Sequence, residues 1–372
     1  MLFTPGEIGS LRLHNRLVRS ATAERMATPE GDPRPELVEL YRDLTEGDVG
    51  LIITGHMYVH KGGKCHPEMT AIDHDDRIPG LQRLTGAVHE LEGRIAVQIN
   101  HGGGNCAPET VPETVAPSAL GEPSYKREAR KMSGEEIERT IKAYAAAARR
   151  AKAAGFDAVQ IHGAHGYLVS QFLSPLTNHR EDSWGGSLKN RSRFLWRVCQ
   201  EVRQAVGQEY PVFIKFGILD GKEHGLSLED GLKILSEFDQ WGLDGVELSV
   251  GFSGKQWKST KKGVTKAKEE GYLLPLVKEA RAHTDLPLIA VGGYRSRKVM
   301  EKVLLGGWAE FISLARPLIR EPHLPQRMKS GEQDRSKCLS ANNCWPEEIG
   351  VGIGCKCPTL PDEEPASPAN EA

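Results

Sequence analysis

The chain has 372 residues, with 48 Lys plus Arg against 50 Asp plus Glu and a formal net charge of −2. That length suits one large α/β barrel or two ordinary domains. Without a basic block there is no electrostatic footprint for nucleic acid or an anionic membrane, and no stretch approaches the ~20 apolar residues of a spanning helix.

The N-terminus, residues 1–19, has no apolar h-region and reads as mature protein. Seven cysteines at irregular spacing do not form a disulfide framework and suit a reducing compartment. The expectation is a soluble cytoplasmic protein whose partner is a small molecule.

In chain order, short β-branched or apolar runs occupy 17–20, 50–54, 94–99, 157–161, 211–216, 245–249, 286–291 and 311–314. Continuous apolar runs mean burial on both faces, which is the signature of parallel sheet. Helix-compatible segments lie between them. Ser133 with Glu136 makes a capping box for a helix through Tyr144 and Arg150 that stops near Gly155. Ser227 caps another, over Leu232 and Phe238 to Gly242. From His101 to about Lys131 the chain is rich in Gly, Pro, Glu and Thr and reads as a long loop after the third strand. From about Pro358 to Ala372 it is rich in Pro, Glu and Ala and reads as disordered.

Eight strand–helix alternations favour an α/β fold of the closed (β/α)8 TIM-barrel type over a doubly wound sheet. The expected layout is a single barrel domain over 1–335 and a short Cys-containing tail over 336–372, partly disordered.

In such barrels the reactive groups sit at the carboxyl ends of the strands. The fourth strand runs into His162, His165 and Tyr167. Imidazole N–H groups polarise a carbonyl oxygen and a phenol delivers a proton. Alternatively, the two histidines bind a metal or only cap local backbone, although no carboxylate accompanies them as in a zinc protease motif. The third strand carries Gln98 and the fifth Lys215. A lysine inside an apolar strand needs an anion, either a structural salt-bridge partner or an anionic cofactor such as a reduced flavin. Gly292 and Gly293 follow the seventh strand, and Ala315 and Arg316 the eighth. Close backbone approach and a guanidinium clamp at that place suit a phosphate.

With these residues in hand, the chain from Leu2 to about Pro322 resembles the Old Yellow Enzyme family of FMN-dependent NAD(P)H:flavin oxidoreductases. The likeness is carried by the stretches 15–22 and 46–55, and above all by His162-Gly163-Ala164-His165-Gly166-Tyr167-Leu168. It continues through 172–175, Asn178, Arg180, Asp182, 185–187, Asn190, Arg191, Arg193 and Phe194. The resemblance implies FMN as cofactor and NAD(P)H as hydride donor. It places Ser20, Ala21 and Thr22 against the flavin, with Gly55 nearby. Gln98 lies on its pyrimidine edge, Lys215 near N1 and O2, and Gly293, Ala315 and Arg316 on the phosphate. His162 and His165 then hold the carbonyl oxygen of an electron-poor alkene, and Tyr167 protonates its α-carbon. That is an ene-reductase, an enzyme acting on CH–CH bonds of α,β-unsaturated carbonyl compounds. Flavin-dependent oxidation, such as amine demethylation, and a redox-inactive barrel binding phosphorylated ligands are the alternatives.

The chain departs from the family at several places. Lys215 stands where arginine is frequent, Ala23 where Thr or Cys is frequent, and Gly104 where arginine is usual. Multidomain relatives carry four cysteines for an iron–sulfur cluster and a second nucleotide domain. Here Cys338, Cys344, Cys355 and Cys357 lack the tight spacing, so no metal, cluster or internal electron relay is expected, with zinc or a cluster on four thiols as the alternative. Barrels of this kind often self-associate, and a homo-oligomer is compatible with the chain.

Overall fold

The eight apolar runs become eight parallel strands in the computed structural model, which describes residues 1–121 and 127–358. They are β1 (Leu17–Arg19), β2 (Leu51–Ile53), β3 (Ile95–Asn100), β4 (Ala158–Gly163), β5 (Val212–Gly217), β6 (Val246–Ser249), β7 (Leu288–Ala290) and β8 (Phe311–Leu314). Each pairs with its sequence neighbours, and β8 closes on β1 through Ile312↔Leu17 and Leu314↔Arg19. Every residue of the eight strands is buried. Their outward faces, and their inward faces at one end, are apolar because the barrel is covered outside and filled inside.

The cover is a ring of helices, one after each strand: α1 (Pro35–Glu46), α2 (Ile78–His89), α3 (Gly134–Ala153), α4 (Leu188–Val206), α5 (Leu228–Leu235), α6 (Leu274–Arg281), α7 (Arg297–Leu305) and α8 (Leu324–Ser330). Short extra helices, Leu168–Leu173 and Arg316–Arg320, follow β4 and β8. The capping box on α3 forms as expected, with Ser133 Oγ accepting from Glu136 N at 3.2 Å and Glu136 Oε2 accepting from Ser133 N at 2.8 Å. Gly155, at φ +86°, turns the chain just past its end. The helix after Ser227 is shorter than expected. It stops at Leu235, where Glu237 and Phe238 switch to bonds onto Ile234 and Leu235. That tight turn seats the Phe238 ring 4.9 Å from Phe216 and 5.5 Å from Trp241.

One end of the barrel is stoppered. An antiparallel hairpin, Gly6–Ile8 with Leu11–Leu13, packs Ile8, Leu11 and Leu13 onto the inward side chains Val18, Leu51, Phe213 and Phe311. The carboxyl end of the strands is therefore the open one.

Two segments carry more structure than their composition shows. The loop after β3 holds a short two-stranded pairing, Thr114–Ala116 with Ala129–Lys131. The tail from residue 336 is bonded to the barrel over its described part. Ile353 N donates to Glu24 O at 2.7 Å, Gly263 N to Ser340 O at 3.0 Å and Arg295 Nη2 to Ser336 O at 2.7 Å. Residues 336–358 thus lie along the barrel's carboxyl rim, and the Pro-rich stretch beyond lies outside the described residues. Among the described residues, no helix is long and apolar enough to cross a membrane.

Candidate active site

Above the apolar stopper the inward-facing positions become polar. Strand register puts Gln98 of β3 beside Gln160 of β4, and Lys215 of β5 beside both His162 of β4 and Glu247 of β6. Glu247 has no exposed surface, and Lys215 is 3% exposed. Their charges meet at 2.6 Å (Nζ to Oε1). Ser20 and Ser313 hydroxyls donate to the same carboxylate oxygen at 2.7 and 2.8 Å. Gln160 Nε2 donates to the other at 2.9 Å, and Gln98 Nε2 donates to Gln160 Oε1 at 2.6 Å. Burial alone pushes the Glu247 carboxyl up. The Lys215 cation and these donors outweigh it and hold the group below the usual carboxylate range. Of the two partners open to Lys215, the salt bridge is therefore present.

This floor supports a cavity of about 290 Å³ at the open end of the barrel. Its wall includes Ser20, Ala21, Thr22, Gln98 and Lys215 from the first, third and fifth strands, and His162, His165 and Tyr167 after the fourth. Gly293, Ala315 and Arg316 line it from the seventh and eighth. The chain reaches these positions through local turns. His165, at φ +61°, occupies the left-handed region, which lets its ring turn back so that Nε2 meets Ser249 Oγ at 2.8 Å. His162 Nδ1 accepts from Ala164 N at 3.3 Å, so its proton belongs on Nε2. The His162 and His165 rings are 5.0 Å apart, edge to face, and Tyr167 is 5.0 Å from His162.

Burial, joined by the nearby Lys215 cation, depresses His165 to about 3 and His162 well below its ordinary value. Both rings are neutral at physiological pH. Burial likewise raises the Tyr167 phenol, which keeps its proton. The site therefore presents uncharged donors above a charge-balanced floor.

Two expected residues do not line the cavity. Gly55 N donates to Glu24 Oε1 at 2.8 Å, and a Cβ on Gly55 would stand 2.0 Å from the other oxygen of that carboxylate. The glycine is there to admit Glu24, which bridges Arg19 at 2.8 Å and accepts from Tyr41 Oη at 2.8 Å. Gly292, at φ +144°, turns the chain after β7, and its carbonyl accepts from Tyr272 N at 3.1 Å.

Sequence reasoning missed Glu247, Gln160, His56 and Trp345. An acid inside the apolar run Val246-Glu247-Leu248 asks for a buried cation by the same logic that singled out Lys215. Trp345 comes from the tail, walls the cavity and donates Nε1–H to Ala23 O at 3.2 Å. Arg316 is also tied to the tail, with Nη1 donating to Ser340 O at 3.1 Å and to Asn342 Oδ1.

The tail cysteines are free thiols, Cys338 and Cys344 buried and Cys355 and Cys357 half-buried. Burial and the other three thiols push Cys344 up to about 11. Among the described residues, no three of these sulfurs lie within 4.8 Å of one another.

The model of the NADH:flavin oxidoreductase / NADH oxidase family matches residues 1–335. The chain belongs to this family. An NADH oxidase of Thermoanaerobacter brockii is 32% identical over 366 residues, 97% of this chain and 56% of that protein. The chain thus spans little more than half of that relative's length. An NADPH dehydrogenase of Geobacillus sp. (strain WCH70) is 34% identical over 329 residues, 87% of this chain and 92% of that protein. The structure of an Old Yellow Enzyme homologue from Zymomonas mobilis superposes with a TM-score of 0.77 at 26% identity, covering 90% of this chain and 94% of that one. Membership of this family, of the Old Yellow Enzyme type, makes FMN the cofactor.

Proposed function

We propose that the protein reduces the activated C=C bond of α,β-unsaturated carbonyl compounds. The observation that carries this is the convergence of His162, His165 and Tyr167, all uncharged, on one wall of a cavity whose floor is the Lys215–Glu247 pair.

The donor set fits FMN. Gln98 and Lys215 offer an amide and an ammonium from the floor, suited to the carbonyls of a planar heterocycle. Arg316, with the main chain of Gly293 and Ala315, suits a phosphate. Because the tail engages Arg316 through Nη1, the other guanidinium donors are left for it. Ser20, Ala21 and Thr22 supply backbone contact along the wall. When bound, FMN supplies the hydride chemistry, with NAD(P)H as source.

The protein's own part is binding, charge stabilisation and one proton. His162 Nε2–H is held toward the cavity because Nδ1 accepts from Ala164 N. In the tautomer in which Ser249 Oγ donates to His165 Nε2, the ring proton of His165 sits on Nδ1. The two N–H groups hold the acceptor's carbonyl oxygen and stabilise the negative charge it gains as the β-carbon is reduced. Tyr167 then releases its phenolic proton to the α-carbon. A neutral imidazole pair suits this work, since it donates without trapping the oxyanion as an ion pair.

Amine oxidation is less well supported, because no carboxylate is among the residues lining the cavity to receive a cationic donor.

Stopped-flow on Tyr167→Phe tests the assignment. Flavin reduction by NAD(P)H should stay within about twofold of the parent, while reoxidation by 2-cyclohexenone slows by about 10²-fold or more, the scale of general acid catalysis. Equal slowing of both half-reactions would remove Tyr167 from the proton step.

A further inference from the structure

A third imidazole stands at the same cavity wall. His56 follows β2, lines the cavity and is 7% exposed. Its ring centroid is 5.0 Å from Tyr167 and 5.9 Å from His162. With His162 also 5.0 Å from Tyr167, the three rings form a triangle with Tyr167 at its apex.

The orientation of His56 is set from behind. Asn100, at the end of β3 and fully buried, donates Nδ2–H to His56 Nδ1 at 2.8 Å. That bond occupies Nδ1 as an acceptor and places the ring proton on Nε2. The same Nδ2 also lies 3.6 Å from Cys65 Sγ. His66 closes the back of the ring, its centroid 5.8 Å away. His56 is therefore held by a dedicated partner, as His162 is by Ala164 N, and both rings keep Nε2–H for the cavity. No charge of its own accompanies the ring, since burial keeps His56 neutral.

A single carbonyl oxygen occupies the donors of His162 and His165, which leaves the His56 N–H for something else. A buried donor facing an apolar part of a ligand loses its hydrogen bond to water without replacement, which is costly. The fitting ligand carries an acceptor there.

We infer that His56 is a specificity-determining residue that binds a second carbonyl oxygen, so that the preferred acceptors are ene-diones, with a carbonyl on each side of the reducible double bond. The inference rests on the acceptor site proposed above. Tyr167 at the apex then faces the alkene carbon α to the carbonyl held by His162 and His165, with the second oxygen at His56. Electron and atom balance is unchanged: one hydride and one proton add across C=C, and both carbonyls survive.

The test pairs 2-cyclohexenone, with one oxygen, against 2-cyclohexene-1,4-dione, on the FMN-loaded full chain and on His56→Phe and His56→Asn. The phenylalanine fills the space without a donor, while the asparagine keeps one. His56→Phe should lower kcat/KM for the dione about tenfold or more beyond any change for the enone, mainly through KM. His56→Asn should restore part of the loss. Binding of the saturated pair cyclohexanone and 1,4-cyclohexanedione, followed by perturbation of the flavin spectrum, should show the same selective loss in Kd. Equal effects on both members of each pair overturn the inference.

The binding arm separates the two layers of argument. If the parent reduces neither alkene but His56→Phe still selectively weakens the saturated dione, the ene-reductase reading fails and the His56 subsite stands. If both alkenes are reduced and neither comparison is selective, only the subsite fails.

Discussion

Glu247 keeps a full negative charge where no water reaches it, and the charge is tolerable only because Lys215 lies one strand away in register. Removing one member of such a pair leaves the other buried and uncompensated, typically at a cost of about 3–5 kcal/mol. We expect Glu247→Gln to lower the unfolding free energy of the FMN-loaded protein, taken from urea titration, by an amount on that scale. Replacing both partners, as Lys215→Met with Glu247→Leu, should recover part of the loss even though it also removes the hydrogen bonds that Ser20, Ser313 and Gln160 donate to the carboxylate and the one from Lys215 to Ser20. If the single variant unfolds no more easily than the parent, the pair is not buried as described. The lysine was legible in the sequence because a charge interrupts an apolar strand. Its partner was not, because cross-strand register is invisible until β5 and β6 are paired. His56 was hidden for a similar reason: a lone histidine after a strand acquires meaning only when Asn100 and Tyr167, distant in sequence, are brought against it.

At the level of elements, strands were easier to read than their ends. A run such as Val212–Gly217, buried at all six positions, has only one environment open to it, and periodicity finds it. Helix termini depend on single residues, so α3 was found to within a residue or two through Ser133 and Gly155, while α5 ended early because Phe238 is drawn into the core. The Ser133 box is exposed and separate from the cavity, which makes it a clean measure of local capping. Ser133→Ala should cost about 1 kcal/mol, lowering Tm by roughly 1–3 °C in a domain of this size, with FMN content and both half-reactions unchanged. A change in flavin retention would mean that α3 and the cavity are coupled. The course of the tail was not legible at this scale because composition reports the polarity of a segment and not its bonds. Residues 336–358 have almost no regular structure, yet they place Trp345 in the wall and hold Arg316 from outside.

Over the whole molecule, the carboxyl end of the barrel gathers neutral histidines. Burial takes His56 down to about 4, and His66, His101 and His165 to about 3, with His162 well below its ordinary value. In the unfolded chain each titrates near 6.5. Because these folded-state values are depressed, the unfolded chain binds more protons as pH falls, and stability drops. The contribution is complete above about pH 6.5 and erodes between there and about pH 4, with a limiting slope of roughly 1.4 kcal/mol per pH unit for each ring that stays neutral. Carboxylates held low by arginine, such as Asp182 beside Arg180, act in a more acidic window and do not mask the trend. Urea midpoints measured from pH 8 to pH 5 should therefore be level to about 6.5 and then fall steeply. The acceptor half-reaction should stay flat over the same range, because His162 and His165 remain neutral donors in the folded protein. A level midpoint combined with a half-reaction that titrates near 6.5 would mean that water reaches these rings and that the oxyanion meets an imidazolium instead of a neutral N–H.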